Sequence, residues 1–317
     1  MVTGRRILVI KLGAFGDFIM AAGAFQAVRQ FHRDDHVTLL TIASLAAMAT
    51  RSGWFDDVWI DPRGRFPLAD LAMRRRLRAG QFDRIYDFQT VARTDRYFYL
   101  LGPGRRPEWS GSAIGCSHRD PTPDRHSIHP LERYQPQLAI AGLPGMAQPD
   151  LSWLDGDVAG FGLPRRFLLM ATGCTPRRLD KRWAPAHFTA LAQRMMARGV
   201  TPVLLGTHLE SALNAGIAGA CPGCRDLTGR TDPFQLGGLA RAAVAAVGND
   251  TGPMHLITAV GCPSVVLYSF ASDPALSGQR GPAVTYLRRP SLDQLSVDEV
   301  DAALQPLVTV AEDKDEA

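Results

Sequence analysis

The 317-residue chain holds only three lysines, Lys11, Lys181 and Lys314, among 35 basic residues. It has few cysteines, no long apolar run, no GxGxxG and no GK[ST]. Each shortage excludes something. The longest apolar candidate, Ile42 to Ala49, falls far short of the roughly 18–20 residues that a membrane-spanning helix needs. The five cysteines suit a reducing compartment. Two of them form a lone CxxC, Cys221-Pro222-Gly223-Cys224. With no second ligand pair and no helix start after a strand, it reads as a loop rather than a redox or zinc site. Without GxGxxG or GK[ST], dinucleotide and P-loop readings are weak. The N-terminus, Met1-Val2-Thr3-Gly4-Arg5-Arg6, runs straight into a strand-like ILVI. It lacks the apolar region and cleavage site of a secretory signal, so a cytoplasmic location is expected.

What is present describes an ordinary globular protein, long enough for two α/β domains. Hydrophobic residues make up 46% and charged residues 21%. The acidic end, Glu312 to Glu316, is expected to fray. Charge is uneven: residues 1–155 carry a net +4 and the remainder is neutral. The excess is arginine, including Arg63, Arg65, Arg74, Arg75, Arg76, Arg78, Arg93, Arg96, Arg105 and Arg106. A cationic face suits an acidic acceptor or an anionic membrane surface, although a solvated arginine-rich surface explains most of these residues equally well. No nucleic-acid motif accompanies the charge, so a nucleic-acid partner is not expected.

Strand and helix patterns alternate, which predicts parallel sheets. Strands are expected at Arg6–Lys11, Val37–Ile42, Asp57–Ile60 and Arg84–Phe88, with a helix from about Phe18 to Phe31. A Pro/Gly-spaced stretch around Gly142–Pro164 separates this pattern from a second one. There, strands are expected at Arg166–Ala171, Thr201–Gly206, Ala242–Gly248 and Ser264–Tyr268. One helix opens at Pro185 and stops at Gly199, and another spans Pro253–Val260. The domains are therefore read as 1–155 and 156–317, two Rossmann-like halves with a ligand cleft between them.

Four turns follow strands. In Lys11-Leu12-Gly13-Ala14-Phe15-Gly16-Asp17, Gly13 and Gly16 allow close backbone approach. Asp17 could accept a proton from a hydroxyl or cap a helix, and position alone leaves both open. Asn249-Asp250-Thr251-Gly252-Pro253-Met254-His255 opens a helix, where free N–H groups and the dipole attract an anion; a well-capped turn with a partly buried histidine is the bland alternative. Arg178-Leu179-Asp180-Lys181-Arg182-Trp183 brings three cations ahead of a helix, enough to neutralise a diphosphate or simply to form a basic loop. Glu210, in Gly206-Thr207-His208-Leu209-Glu210, could hold ribose hydroxyls. Asp155-Gly156-Asp157 is a DxD string, but its place in the linker makes chance its better explanation.

Together these segments resemble glycosyltransferase family 9, the ADP-heptose:lipopolysaccharide heptosyltransferases. Asp250 to His255 is the most specific match and ILVIKLGAFGD the second. Tyr86-Asp87-Phe88-Gln89, Lys181-x-Trp183 and His129-x-x-x-Arg133 also fit, in the family's order, from about residue 6 to residue 274. The segment Thr172-Gly173-Cys174-Thr175-Pro176 is less typical, and Arg105–His126 matches little. The resemblance implies a GT-B fold, an ADP-activated sugar donor and inversion at the anomeric carbon. It implies Asp17 as general base, which tips that residue from cap towards base. It also implies Lys181, Asp250, Thr251, Gly252 and His255 around the donor diphosphate, with Glu210 on the ribose.

The expected reaction is attack of an acceptor hydroxyl opposite the nucleotide, with Asp17 taking its proton. Lys181, with Arg178 and Lys11 as further candidates, and the helix start at Thr251–Gly252 would stabilise the leaving diphosphate. Neither metal nor other cofactor is expected. The expected partners are an ADP-sugar and an acidic glycolipid such as lipopolysaccharide inner core, with peripheral contact at the inner membrane's cytoplasmic face. Arg63, Arg65, Arg93 and Arg96 are acceptor-side candidates. The competing readings are a GT-B transferase using another nucleotide sugar, a nicotinamide-dependent oxidoreductase, and a non-catalytic sugar-nucleotide-binding protein.

Overall fold

The computed structural model describes residues 4–62, 68–102, 104, 106–122, 124 and 127–313. The chain divides into two compact units, 1–150 and 151–317. The first runs β1 (Arg6–Ile10), α1 (Phe15–Met20), α2 (Ala22–Phe31), β2 (His36–Thr41), α3 (Ala46–Arg51), β3 (Asp57–Ile60), α4 (Leu68–Ala79), β4 (Arg84–Asp87), α5 (Ala92–Leu100), β5 (Glu108–Gly111), β6 (His118–Arg119) and α6 (Pro130–Ile140). The second runs β7 (Phe167–Ala171), α7 (Pro185–Ala197), β8 (Thr201–Leu205), α8 (Ser211–Ala220), β9 (Arg225–Asp226), α9 (Pro233–Ala242), β10 (Ala245–Asn249), α10 (Gly252–Ala259), β11 (Ser264–Tyr268), α11 (Pro274–Ser277), β12 (Val284–Arg288) and α12 (Val297–Asp313).

Each unit is built on a six-stranded sheet, ordered β3-β2-β1-β4-β5-β6 in the first and β12-β11-β10-β7-β8-β9 in the second. Every pairing is parallel. Counted from the first strand of each unit, the two orders are the same: third, second, first, fourth, fifth, sixth. This doubly wound order reverses direction between its first and fourth strands, and ligands bind at the carboxyl ends there. The switch points are β1/β4 in the first unit and β7/β10 in the second.

The central strands carry apolar side chains on both faces because helices cover both faces of a parallel sheet. Ile7, Leu8, Val9 and Ile10 of β1 are fully buried, as are Leu168, Leu169 and Met170 of β7. Trp183, Phe188, Leu191 and Met195, at the start and along one face of α7, join the second core together with Leu295, Val300 and Leu304.

Three expectations shift. The helix expected from Phe18 begins at Phe15 and divides at Ala21, whose N–H lies 3.2 Å from the Asp17 carbonyl and 3.1 Å from that of Phe18. Residues 242–244, expected in a strand, instead finish α9 and lead into β10. The break between units falls five residues before the expected one, because residues 151–156 pack on α9. There Arg241 donates to the carbonyls of Leu151 and Leu154, and Gly156 donates to that of Phe234 (2.9 Å). Among the described residues, no helix is long and apolar enough to cross a membrane.

Candidate functional site

At the second unit's switch point, β10 ends in Asn249 and α10 begins three residues later, at Gly252. Asn249 is fully buried and ties three segments together. Its Oδ1 accepts from the Trp183 N–H (3.0 Å), and its Nδ2 donates to the carbonyls of Thr172 (2.9 Å) and Gly173 (3.1 Å). The loop after β7, the start of α7 and the start of α10 are thereby fixed to one point. Trp183 is anchored in turn, its Nε1 donating to Leu295 O (2.8 Å).

Asp250, 9% exposed, accepts from Lys181 Nζ at 2.7 Å. Its other oxygen accepts from Gln279 Nε2 (2.9 Å) and the Tyr268 hydroxyl (3.3 Å). Burial pushes its carboxyl pKa up, but the Lys181 ammonium and the Gln279 amide outweigh that and hold it below the ordinary value. Lys181 keeps partial exposure, so the pair presents a cation at the strand ends. Beside it, the Thr251 side chain makes no cap hydrogen bond to α10; its Oγ1 donates instead to Asn249 O (3.2 Å). The first-turn N–H groups are thus left for an anion, and Pro253 sits in that turn at no cost in hydrogen bonds. His255 lies in the same helix, 8% exposed. Arg178 is 3.3 Å from Asp180 and also donates to Ala271 O, which fixes the loop's outer edge.

Glu210 is in a different position from a free ribose ligand. It is the third residue of a short 3-10 turn, and one carboxylate oxygen accepts from the N–H (2.7 Å) and hydroxyl (2.8 Å) of Thr207. Gly173 and Gly206 leave room for it: a Cβ on either would lie 2.7 or 2.8 Å from its side chain.

At the first unit's switch point, Asp17 is the third residue of α1, and the N-cap position belongs to Ala14. The N-cap reading is therefore corrected, because the helix starts earlier than the sequence pattern indicates. Asp17 Oδ2 reaches back to the Ala14 N–H at 3.3 Å, and a Cβ on Gly13 would lie 2.6 Å from that oxygen. Gly16 is buried in the same turn. Lys11, 5% exposed, donates to the Tyr134 hydroxyl (3.1 Å) and Phe88 O (3.4 Å) and makes no ion pair among the described residues.

Two of the acceptor-side arginines already have carboxylate partners within the first unit. Arg93 grips Asp61 with two nitrogens (2.6 and 3.1 Å), and its Nε also donates to the Tyr97 hydroxyl (2.7 Å). Arg96 pairs with Asp70 at 3.0 Å, linking α5 to α4. Arg63 and Arg65 lie outside the described residues. Asp157 of the DxD string accepts from the Ala159 N–H (2.9 Å) as a local turn. Cys221 closes α8, the Cys224 N–H donates to its carbonyl (3.1 Å), and burial pushes the Cys224 thiol up to about 12.

Sequence reasoning missed Tyr268 and Gln279 behind Asp250, and the bracing role of Asn249. Asn249 ends a strand just before the conspicuous helix start and was legible there. Gln279 comes from the loop before β12, which carries no motif.

Two six-stranded parallel sheets of one strand order, each with its switch point at equivalent strands, define a two-domain α/β protein of the GT-B class. The chain is 34% identical to lipopolysaccharide heptosyltransferase 2 of Escherichia coli K12, with 84% of this chain and 83% of that protein aligned. The sequence profile of glycosyltransferase family 9 (heptosyltransferase) matches residues 143–294. Among solved structures, a family 9 glycosyltransferase from Veillonella parvula superposes with a TM-score of 0.82 at 18% identity, covering 96% of this chain and 97% of that one. The E. coli heptosyltransferase WaaC with ADP does so with 0.73 at 20% identity, covering 95% and 99%. The protein belongs to glycosyltransferase family 9. It is a transferase, and the oxidoreductase reading is not favoured.

Proposed function

We propose that the protein is an inverting heptosyltransferase, moving the sugar of ADP-heptose onto lipopolysaccharide core or a related acidic glycolipid at the cytoplasmic face of the inner membrane. The second unit binds the donor and the first unit receives the acceptor. The observation that carries this reading is the Lys181–Asp250 pair beside the uncapped start of α10. A cation and converging N–H groups suit a diphosphate that gains negative charge as it leaves. Membership of family 9 and the ADP-bound structural neighbour support the choice of nucleotide.

In this mechanism Asp17 takes the acceptor hydroxyl's proton as oxygen attacks the anomeric carbon opposite the nucleotide. Lys181, Thr251 and Gly252 stabilise the departing diphosphate. Asp250 fixes Lys181, His255 and Arg178 flank the diphosphate from α10 and the loop before α7, and Glu210 offers its second oxygen to the ribose. Lys11, Gly13 and Gly16 shape the Asp17 loop. Arg93 and Arg96 are not assigned to the acceptor, since Asp61 and Asp70 already neutralise them.

Calorimetric titration of the purified protein with ADP, UDP, GDP and NAD, with and without magnesium, tests the donor. ADP is expected to bind in preference to the others. A preference for UDP or GDP would keep the transferase and replace the donor, whereas binding of NAD alone would overturn the reading.

A further inference from the structure

Tyr86-Asp87-Phe88-Gln89 closes β4 at the first unit's switch point, beside the loop that carries Asp17. Asp87 is completely buried. Its Oδ1 accepts from the backbone N–H groups of Gln89 and Thr90, both at 3.0 Å. Thr90 sits at φ +48°, a left-handed conformation that a β-branched residue rarely adopts. Such strain persists only where the surroundings impose it, and here the Asp87 carboxylate imposes it. The resulting turn sends the Gln89 side chain back across β1, where its Oε1 accepts from the Leu12 N–H at 2.9 Å. Leu12 precedes Gly13, and Gly13 is pressed against Asp17.

That one hydrogen bond also fixes which end of the amide faces where. A backbone N–H only donates, so the carbonyl oxygen of Gln89 must meet Leu12 and its NH2 must point the other way. Gln89 Nε2 makes no hydrogen bond among the described residues, and the side chain is half-buried. Lys11, also without an ion-pair partner among the described residues, reaches Phe88 O next door. Two donors without an internal anion therefore flank the Asp17 loop.

We propose that Gln89 binds the acceptor: its carbonyl clamps the Asp17 loop, while its NH2 donates to a carboxylate or hydroxyl oxygen of the acceptor sugar. Asp87 is the positioning residue that sets the turn. The inference rests on the transferase reading and deepens it on the acceptor side. A purely structural brace would need only the carbonyl.

The test separates these two halves of the amide. Gln89→Glu keeps an oxygen for Leu12 and removes the NH2, whereas Gln89→Leu removes both. Steady-state kinetics use ADP-heptose and a de-acylated lipopolysaccharide precursor lacking the transferred sugar. For Gln89→Glu the acceptor KM should rise about tenfold or more, the worth of one polar hydrogen bond to a charged or buried partner, with kcat and ADP affinity near wild type. For Gln89→Leu kcat should fall as well. Repeating the assay on an acceptor with its carboxylates reduced to alcohols identifies the oxygen: a shrunken Gln89→Glu defect marks a carboxylate and an unchanged one a hydroxyl. A wild-type acceptor KM in Gln89→Glu would overturn the proposal and leave Gln89 as a brace. Absence of transfer by the wild-type protein would instead remove the function reading, and this inference with it.

Discussion

The two units share one strand order but arm their switch points differently. In the second, β10 leads after two intervening residues into a helix with an uncapped start, and a lysine–carboxylate pair stands beside it. In the first, β1 leads into a glycine-containing loop and a short helix whose third residue is a carboxylate. In the proposed reaction the cation and converging N–H groups meet the negative charge of the leaving group, and the partly buried carboxylate takes the proton of the nucleophile. On that reading one topology supplies both halves of a displacement by changing a few residues after equivalent strands.

The sharpest way to break this contrast is at Asp17. Asp17→Asn keeps an oxygen for the Ala14 N–H and removes the proposed base. General-base removal typically costs about 100- to 10,000-fold, so kcat should fall in that range while ADP affinity stays unchanged. Turnover at the wild-type rate would take Asp17 out of the chemistry and leave it as a brace of its own loop.

The next largest effect is expected in the second unit. Lys181→Ala should weaken ADP binding by roughly 10- to 100-fold, the worth of one charge-assisted contact, and should do so without changing the acceptor KM. It should also alter the pH dependence of stability. With Lys181 present, the Asp250 pKa lies below its ordinary value of 3.8, so its contribution to stability is present above that pH and is lost as pH falls through the folded value. Without Lys181, burial dominates and the carboxyl pKa rises, so the variant should lose stability most at neutral pH. Thermal melts of both proteins from pH 4 to 8 check the sign.

These contrasts were unevenly legible in the sequence. Asp250 to His255 stood out because a strand, a polar turn and a proline-started helix follow one another within a few residues. Asp17 stood out for the same reason, although its place in the helix did not: periodicity began the helix at Phe18, while the chain already turns at Phe15. Arg93 and Arg96 looked available because a sequence does not show that Asp61 and Asp70 will be folded against them. Gln279 and Tyr268 were invisible for a related reason. They reach Asp250 only after β11 and the loop before β12 have folded back on it. Local turn chemistry is written locally, whereas partners that brace it arrive from elsewhere in the chain.

The smallest expected effect returns to the first unit and asks what its strained turn costs. Burial raises the Asp87 carboxyl from an ordinary 3.8 to about 6, against the pull of its hydrogen bonds. The folded protein therefore holds that proton more tightly than the unfolded chain. The stability this confers is complete below about 3.8 and lost as pH rises through about 6. Asp250 beside its lysine has the opposite sign. Asp87→Asn keeps an oxygen for the Gln89 and Thr90 N–H groups and removes the buried charge. It should therefore raise stability at pH 8 by on the order of 1 kcal/mol, after the loss of charge-assisted bonding is set against relief of desolvation. At pH 4 the gain should vanish. Melting curves of the variant and the wild type across that range would show the two crossing or converging towards acid; a constant offset at every pH would mean that Asp87 does not titrate there. If the gain appears and the acceptor KM rises with it, the carboxylate is kept for the aim it gives Gln89, at a cost in stability that the second unit's paired Asp250 does not bear.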